Sequence, residues 1–367
     1  MRKQILAVLA AGVLALSACG SDDDTSGSGS GGGDEAAPGK IGVILPDTAS
    51  SARWESADRP LLEAAFKEAG VEYDVQNAQG DKSKFQTIAD GMISSGVKVL
   101  VITNLDSETG TAVIKKANEV GIPVIDYDRL TLGGGASYYV SFDNVKVGTA
   151  IGDGLLSCLK DAGTDTGGVV LLNGSPTDNN ATLFKEGYQK AITGAGYNVV
   201  ADQAVPDWDN TQAGRIFEQI FTGQKGKFVA VAAANDGLGG AVVSVLQRNG
   251  LAGKVPVSGQ DATDEGLQRV LLGTQCNTVY KAVKKEAEAA AKLAVALSSG
   301  DTAGADSQAS GTTKDTTSNA DVKSVLLEPQ GITKANVKDV IADGFTTKEK
   351  VCSTPELQKA CADNGIS

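Results

Sequence analysis

Short β-branched runs alternate with longer amphipathic stretches along this chain, and the alternation repeats many times. Ile41-Gly42-Val43-Ile44-Leu45, Lys98-Val99-Leu100-Val101-Ile102 and Ile122-Pro123-Val124-Ile125 are continuous apolar runs of the kind that form strands buried on both faces. Between the first two, Leu61, Leu62, Ala65, Phe66 and Ala69 fall on one helical face, with Pro60 in the first turn and Gly70 as the stop. Val113, Ala117 and Val120 do the same before Gly121. The second half repeats the order, with strands predicted at 168–172, 197–200, 228–231 and 255–258. Two parallel sheets covered by helices, an α/β architecture, are the expected result. Residues 298–319, rich in Gly, Ser, Thr, Asp and Ala, read as a surface loop or strand connection. Lys284, Lys285, Glu286 and Glu288 lie in an Ala-rich helical stretch and read as a solvated face.

Loops that follow the strands of such sheets point at a ligand crevice, so polar residues there carry functional weight. They are abundant: Asp47, Arg53 and Trp54 after the first strand, then Asp126, Asp128 and Arg129, then Asn173, Asp178, Asn179 and Asn180. Asn235 and Asp236, Gln260 and Asp261, and Lys281 follow later strands. For any single Asp or Asn in such a place a helix cap or solvated loop is the better reading, and it is the set as a whole that points to a site. The chain's two tryptophans, Trp54 and Trp208, also sit among polar neighbours. Flat aromatic faces beside carboxylates, amides and guanidinium groups suit a sugar, whose C–H faces stack on rings and whose hydroxyls need donors and acceptors.

The amino terminus has a different pattern. Arg2 and Lys3 precede an apolar run from Ile5 to Leu16 that is too short for a comfortable membrane span, and Leu16-Ser17-Ala18-Cys19 closes it. This order is that of an export signal, residues 1–18, and its end resembles the lipobox of bacterial lipoproteins, in which Cys19 becomes the lipidated terminus. Acylation of Cys19 implies anchorage to the outer face of the cell membrane. Residues 21–33 are almost entirely Ser, Gly, Asp and Thr, so 19–39 read as a flexible leash with a reach of about 25 Å.

A net charge of −12 argues against nucleic acid or an anionic membrane surface as partner. The absence of histidine removes Ser-His-Asp and Cys-His mechanisms and imidazole metal sites. Besides Cys19, the four cysteines Cys158, Cys276, Cys352 and Cys361 read as two disulfides in an exported protein. Of the three pairings, the preferred one joins Cys352 to Cys361 locally and Cys158 to Cys276 across the body. A zinc site of all four thiolates competes without any C-x2-C spacing to support it. No cofactor and no metal are expected.

Several phrases, in order, carry a resemblance over nearly the whole chain after the leash: Arg53-Trp54, Tyr127-Asp128-Arg129, Ser141-Phe142-Asp143-Asn144, Gly174-Ser175-Pro176 with Asp178-Asn179-Asn180, Asn235-Asp236, Ser258-Gly259-Gln260-Asp261 and Thr278-Val279-Tyr280-Lys281. The chain resembles the periplasmic D-xylose-binding proteins of sugar ABC transporters. The resemblance implies a type I periplasmic binding protein fold, two Rossmann-like lobes joined by a three-stranded hinge. It divides the body into lobe one, 40–143 plus 281–327, and lobe two, 144–280 plus 328–367, with the sugar between them. It implies that Arg53, Asp128, Arg129, Asn179, Asn235, Asp261 and Lys281 hydrogen-bond the sugar and that Trp54 and Trp208 stack on it.

The function so implied is that of a monomeric, lipid-anchored substrate-binding protein, not an enzyme, that closes on D-xylose and delivers it to an ABC transporter permease. Asp128 and Asp261 against Arg53, Arg129 and Lys281 leave a slight positive excess, which admits a sugar acid. The competing readings are a sugar-sensing receptor partner and a glycosidase with Asp128 and Asp261 as its paired carboxylates.

Overall fold

A computed structural model describes residues 38–366. The export signal, Cys19 and nearly all of the leash lie outside the described residues. The strands are β1 (Ile41–Leu45), β2 (Tyr73–Asn77), β3 (Val99–Ile102), β4 (Val124–Tyr127), β5 (Tyr138–Phe142), β6 (Gly168–Asn173), β7 (Asn198–Ala204), β8 (Ala230–Ala233), β9 (Thr278–Tyr280), β10 (Gly311–Lys314), β11 (Asp321–Leu327) and β12 (Gln330–Ile332). They form a sheet of order β10-β11-β5-β4-β3-β1-β2, a second of order β7-β6-β8, and a two-stranded pair β12-β9. All pairs in the two larger sheets are parallel except β10 with β11.

The apolar runs are continuous because both faces of each parallel strand are covered. Ile41, Val43 and Leu45 of β1 join Val99, Val101, Ile125 and Tyr127 on one face, packed on helices Arg59–Glu68 and Val283–Ser298. Ile44, Leu100, Ile102 and Val124 point to the other face, against helices Lys82–Ser94 and Ser107–Glu119. This is the two-residue period of a strand read out in burial. A separate core surrounds the second sheet, from Val169–Leu172 and Ala230–Ala233 to Phe184, Tyr188 and Phe217.

The chain passes between the two large sheets after β5, after β9 and after β11. At the first passage Asp143 donates its backbone N–H to the Leu327 carbonyl at 2.9 Å and caps helix Asn144–Asp161 by accepting from the Lys146 N–H at 3.1 Å. Cys158 is bonded to Cys276, and Cys352 to Cys361. The latter bond staples the terminal helices, whose Val351, Leu357 and Ile366 pack with Leu267 and Val270 in a small core of their own.

Three expectations change. Residues 298–319 hold helix Thr302–Gln308 and strand β10; Asp301 accepts from the Gly304 N–H at 2.8 Å to cap that helix, and its small polar residues had concealed it. The run 255–258 makes only a bridge, Val257 to Val231. Glu286 is fully buried. It lies on the stripe of Val283, Ala287, Ala290 and Ala294 that faces the core, so one acid of a charged cluster is inside while Lys284, Lys285 and Glu288 face outward.

Candidate functional site

The loop after β1 is folded by Asp47, whose carboxylate accepts from the backbone N–H of Ala49 at 2.8 Å, that of Ser50 at 2.6 Å and the Ser50 hydroxyl at 2.9 Å. The Ser50 oxygen accepts from Trp54 Nε1 at 3.0 Å, so strand end, loop and indole are tied in series. Arg53 beside it meets three acids. Its Nε and Nη2 donate to Asp58 at 2.9 and 2.7 Å, Nη2 also to Glu286 at 2.7 Å, and Nη1 to Asp128 at 3.0 Å. Burial opposes the guanidinium charge, but these carboxylates outweigh it and hold the Arg53 pKa well above its ordinary value. Three carboxylates exceed what one guanidinium can balance. Burial, with repulsion from Asp128 and Asp58, pushes Glu286 up to about 8 against the pull of Arg53. The shift favours the protonated form of Glu286 toward neutral pH, and its Oε1 has no hydrogen-bond partner among the described residues.

Asp128 follows β4 with a left-handed backbone, φ 64°. Burial would raise its carboxyl, yet Lys281, Arg53 and Arg129 hold it down to about 2. Lys281 Nζ stands 3.5 Å from Asp128 and 3.4 Å from Asp261. Burial would lower the Lys281 pKa, but these two acids raise it. Of the eight non-glycine residues with positive φ among the described residues, Asp128, Trp208 and Asp261 line one cavity. Held backbone strain gathers at functional sites of this kind.

That cavity, about 30 Å³, is lined by Ser50, Ser51, Arg53, Trp54, Asp128, Arg129, Asp178, Asn180, Phe184, Trp208, Asn235, Gln260, Asp261 and Lys281. Its walls come from both large sheets and touch across the cleft. Asn180 Nδ2 donates to the Asp128 carbonyl at 2.8 Å, Asn235 Nδ2 to the Ser50 carbonyl at 3.3 Å, and Ser51 Oγ to Asp261 at 3.2 Å. Arg129 Nε pairs with Asp178 at 3.1 Å. Trp208 donates through Nε1 to Asp178 at 3.1 Å and meets Phe184 edge-on at 6.5 Å between centroids. The Trp208 ring lies so close to Gly174 that a Cβ there would stand 2.1 Å from it, which explains the glycine at the end of β6.

The structure brings Arg53, Trp54, Asp128, Arg129, Trp208, Asn235, Asp261 and Lys281 together and leaves out Asn179. Asn179 begins helix Asn179–Gly194 half exposed, and the next residue, turned about 100° around the axis, is buried at the cavity. Of these two neighbours it is Asn180 that lines the cavity. Sequence reasoning also missed Ser51, Phe184 and the acids Asp58 and Glu286 behind Arg53. Glu286 had a signal in its position on an apolar helical stripe, whereas Asp58 had none.

Residues 41–302 match the family model described as a periplasmic binding protein domain. The chain is 37% identical over 311 residues to the D-xylose-binding periplasmic protein of Escherichia coli, covering 83% of this chain and 90% of that one. To the protein of the same name from Haemophilus influenzae it is 36% identical over 317 residues, covering 85% and 92%. Among solved structures, an ABC transporter solute-binding protein from Clostridium phytofermentans with bound β-D-glucose superposes with a TM-score of 0.76 at 26% identity, over 85% of this chain and 99% of that one.

Proposed function

From the premise that this chain belongs to the type I periplasmic binding protein family, we propose that it is the substrate-binding protein of an ABC sugar importer and that its ligand is D-xylose. The relatives and the fold are those of sugar-binding transport proteins, not enzymes. The observation that carries the reading is the shared cavity, where Arg53, Trp54, Asp128 and Arg129 on one wall face Asn180, Trp208, Asn235 and Asp261 on the other. A sugar gripped by both walls favours the closed form over the open one, and only such differential binding drives closure. The lobes of this proposal are 40–143 plus 281–327 and 144–280 plus 328–367.

A cavity of about 30 Å³ takes a pentose only after the walls part. Full enclosure suits the energetics. A pentose has about ten heavy atoms, and micromolar binding at about −8 kcal/mol needs about −0.8 kcal/mol per atom, within the ceiling of about −1.5. Xylose is favoured over other sugars by the two relatives named for it, while the glucose-bound neighbour marks hexoses as the alternative. The permease as partner follows from the family, and anchorage through Cys19 from the sequence alone.

Both tryptophans line the cavity, so their emission reports occupancy. Titration of the full chain with D-xylose should change it saturably. A flat titration with every monosaccharide tried, together with release of aryl alcohol from an aryl xyloside, would favour the glycosidase reading instead.

A further inference from the structure

Three cations line the cavity, Arg53, Arg129 and Lys281, and so do three acids, Asp128, Asp178 and Asp261. Counting without Asp178 leaves a positive excess, and with it the lining is balanced. Each cation has its own acid. Arg53 is held by Asp58, Glu286 and Asp128, and Lys281 by Asp128 and Asp261. Arg129 has one carboxylate within ion-pair distance among the described residues, Asp178 at 3.1 Å. Its remaining partners are neutral, the Asn104 carbonyl at 3.1 Å and the Ser50 hydroxyl at 3.4 Å.

Resting on the proposed sugar-binding function, we propose that Asp178 is a specificity-determining residue that makes the site reject anionic sugars by neutralising Arg129 from the opposite wall. A sugar carboxylate entering the balanced lining finds every cation occupied and three carboxylates repelling it, while losing its own hydration. Without the Asp178 charge, Arg129, with its side chain 8% exposed, presents an unmatched planar donor fork to that carboxylate. Asp178 is fixed for this role. Its Oδ1 accepts from the Asn180 N–H at 2.9 Å, capping the helix, and its Oδ2 accepts from both Trp208 and Arg129. Burial raises the Asp178 carboxyl, opposed by Arg129 and by the bonds from Asn180 and Trp208.

The test is calorimetric titration of the full chain and its Asp178→Asn variant with two matched pairs, D-glucose against D-glucuronate and D-xylose against D-xylonate. Asn remains a good helix cap, and the thermal midpoint reports whether the variant is folded. The wild type should bind the neutral member of a pair and reject the acid. In Asp178→Asn the acid-to-neutral Kd ratio should fall by about tenfold or more in at least one pair, the size of one regained ion pair. In Asp178→Asn combined with Arg129→Gln it should return toward the wild-type value. An unchanged ratio in the single variant, no measurable acid binding to either protein, or a gain that persists without Arg129 overturns the proposal. Failure of the wild type to bind any neutral sugar would instead overturn the function on which it rests, and the proposal with it.

Discussion

Asn180 reaches across the cleft to donate its Nδ2 hydrogen to the Asp128 carbonyl oxygen at 2.8 Å and to the Asp128 carboxylate at 3.1 Å. Its own Oδ1 accepts from Asn144 Nδ2 at 2.9 Å, at the first passage between the sheets. One amide thus links both walls and the crossing. Asn180→Ala should weaken sugar binding by about 1–3 kcal/mol, roughly 5- to 150-fold, because it strands buried partners. Asn179→Ala should stay within about twofold, being half exposed and outside the lining. Titration of both variants checks the assignment, and the reverse ranking would restore Asn179.

Arg53 neutralises a buried group of acids, so Arg53→Ala leaves Asp58, Asp128 and Glu286 without it. Breaking a buried ion pair by removing one partner costs about 3–5 kcal/mol. Chemical denaturation should show a loss of that order together with loss of sugar binding. A variant of wild-type stability would mean that water or rearrangement takes the charge.

Stability should fall as pH rises through neutrality. Glu286 titrates near 8 when folded against an ordinary 4.5, so between those values the folded chain holds a proton that the unfolded chain has released. Its contribution is whole below about 4.5, declines with a slope of up to about 1.4 kcal/mol per pH unit, and is lost above about 8. Asp126, raised by burial to about 7, and Asp236, raised by burial to about 6, act in the same direction over the lower part of the window. Asp128, held down to about 2, acts oppositely and only in acid. Denaturant midpoints measured from pH 5 to 9 should decline in the wild type and decline less between pH 6 and 8 in Glu286→Gln. Parallel curves would remove Glu286 as the titrating group.

The two disulfides should differ in worth. The Cys158–Cys276 bond spans 118 residues and the Cys352–Cys361 bond 9. Chain-entropy reasoning assigns the longer closure more, about 4–5 kcal/mol against about 2–3. Replacing each pair by serines should lower stability in that order, as read by denaturation. Cys352 and Cys361 lie in the small terminal core, away from the cavity lining, so sugar affinity should survive their loss.

Much of this was legible in the sequence because parallel strands covered on both faces leave unbroken apolar runs, and the residues just after those runs are where such folds place their ligands. Arg53, Asp128, Asn235 and Asp261 could be found on that basis. The choice between Asn179 and Asn180 could not, since it depends on one residue's rotation at a helix start. Nor could the charge balance of the lining, because Asp178 reads as a helix cap, which it also is. Residues 298–319 resemble a loop in their small polar composition, although Ala305 is buried and β10 extends the first sheet.

The most direct measurement of the central claim is a calorimetric titration of the protein with D-xylose, D-glucose, D-ribose, L-arabinose and D-galactose. Binding should be saturable and one-to-one, tightest for D-xylose and abolished by Trp54→Ala or Trp208→Ala in folded protein. Preference for another sugar would contradict the xylose assignment and keep the transport reading, and absence of heat with every sugar would contradict the account as a whole.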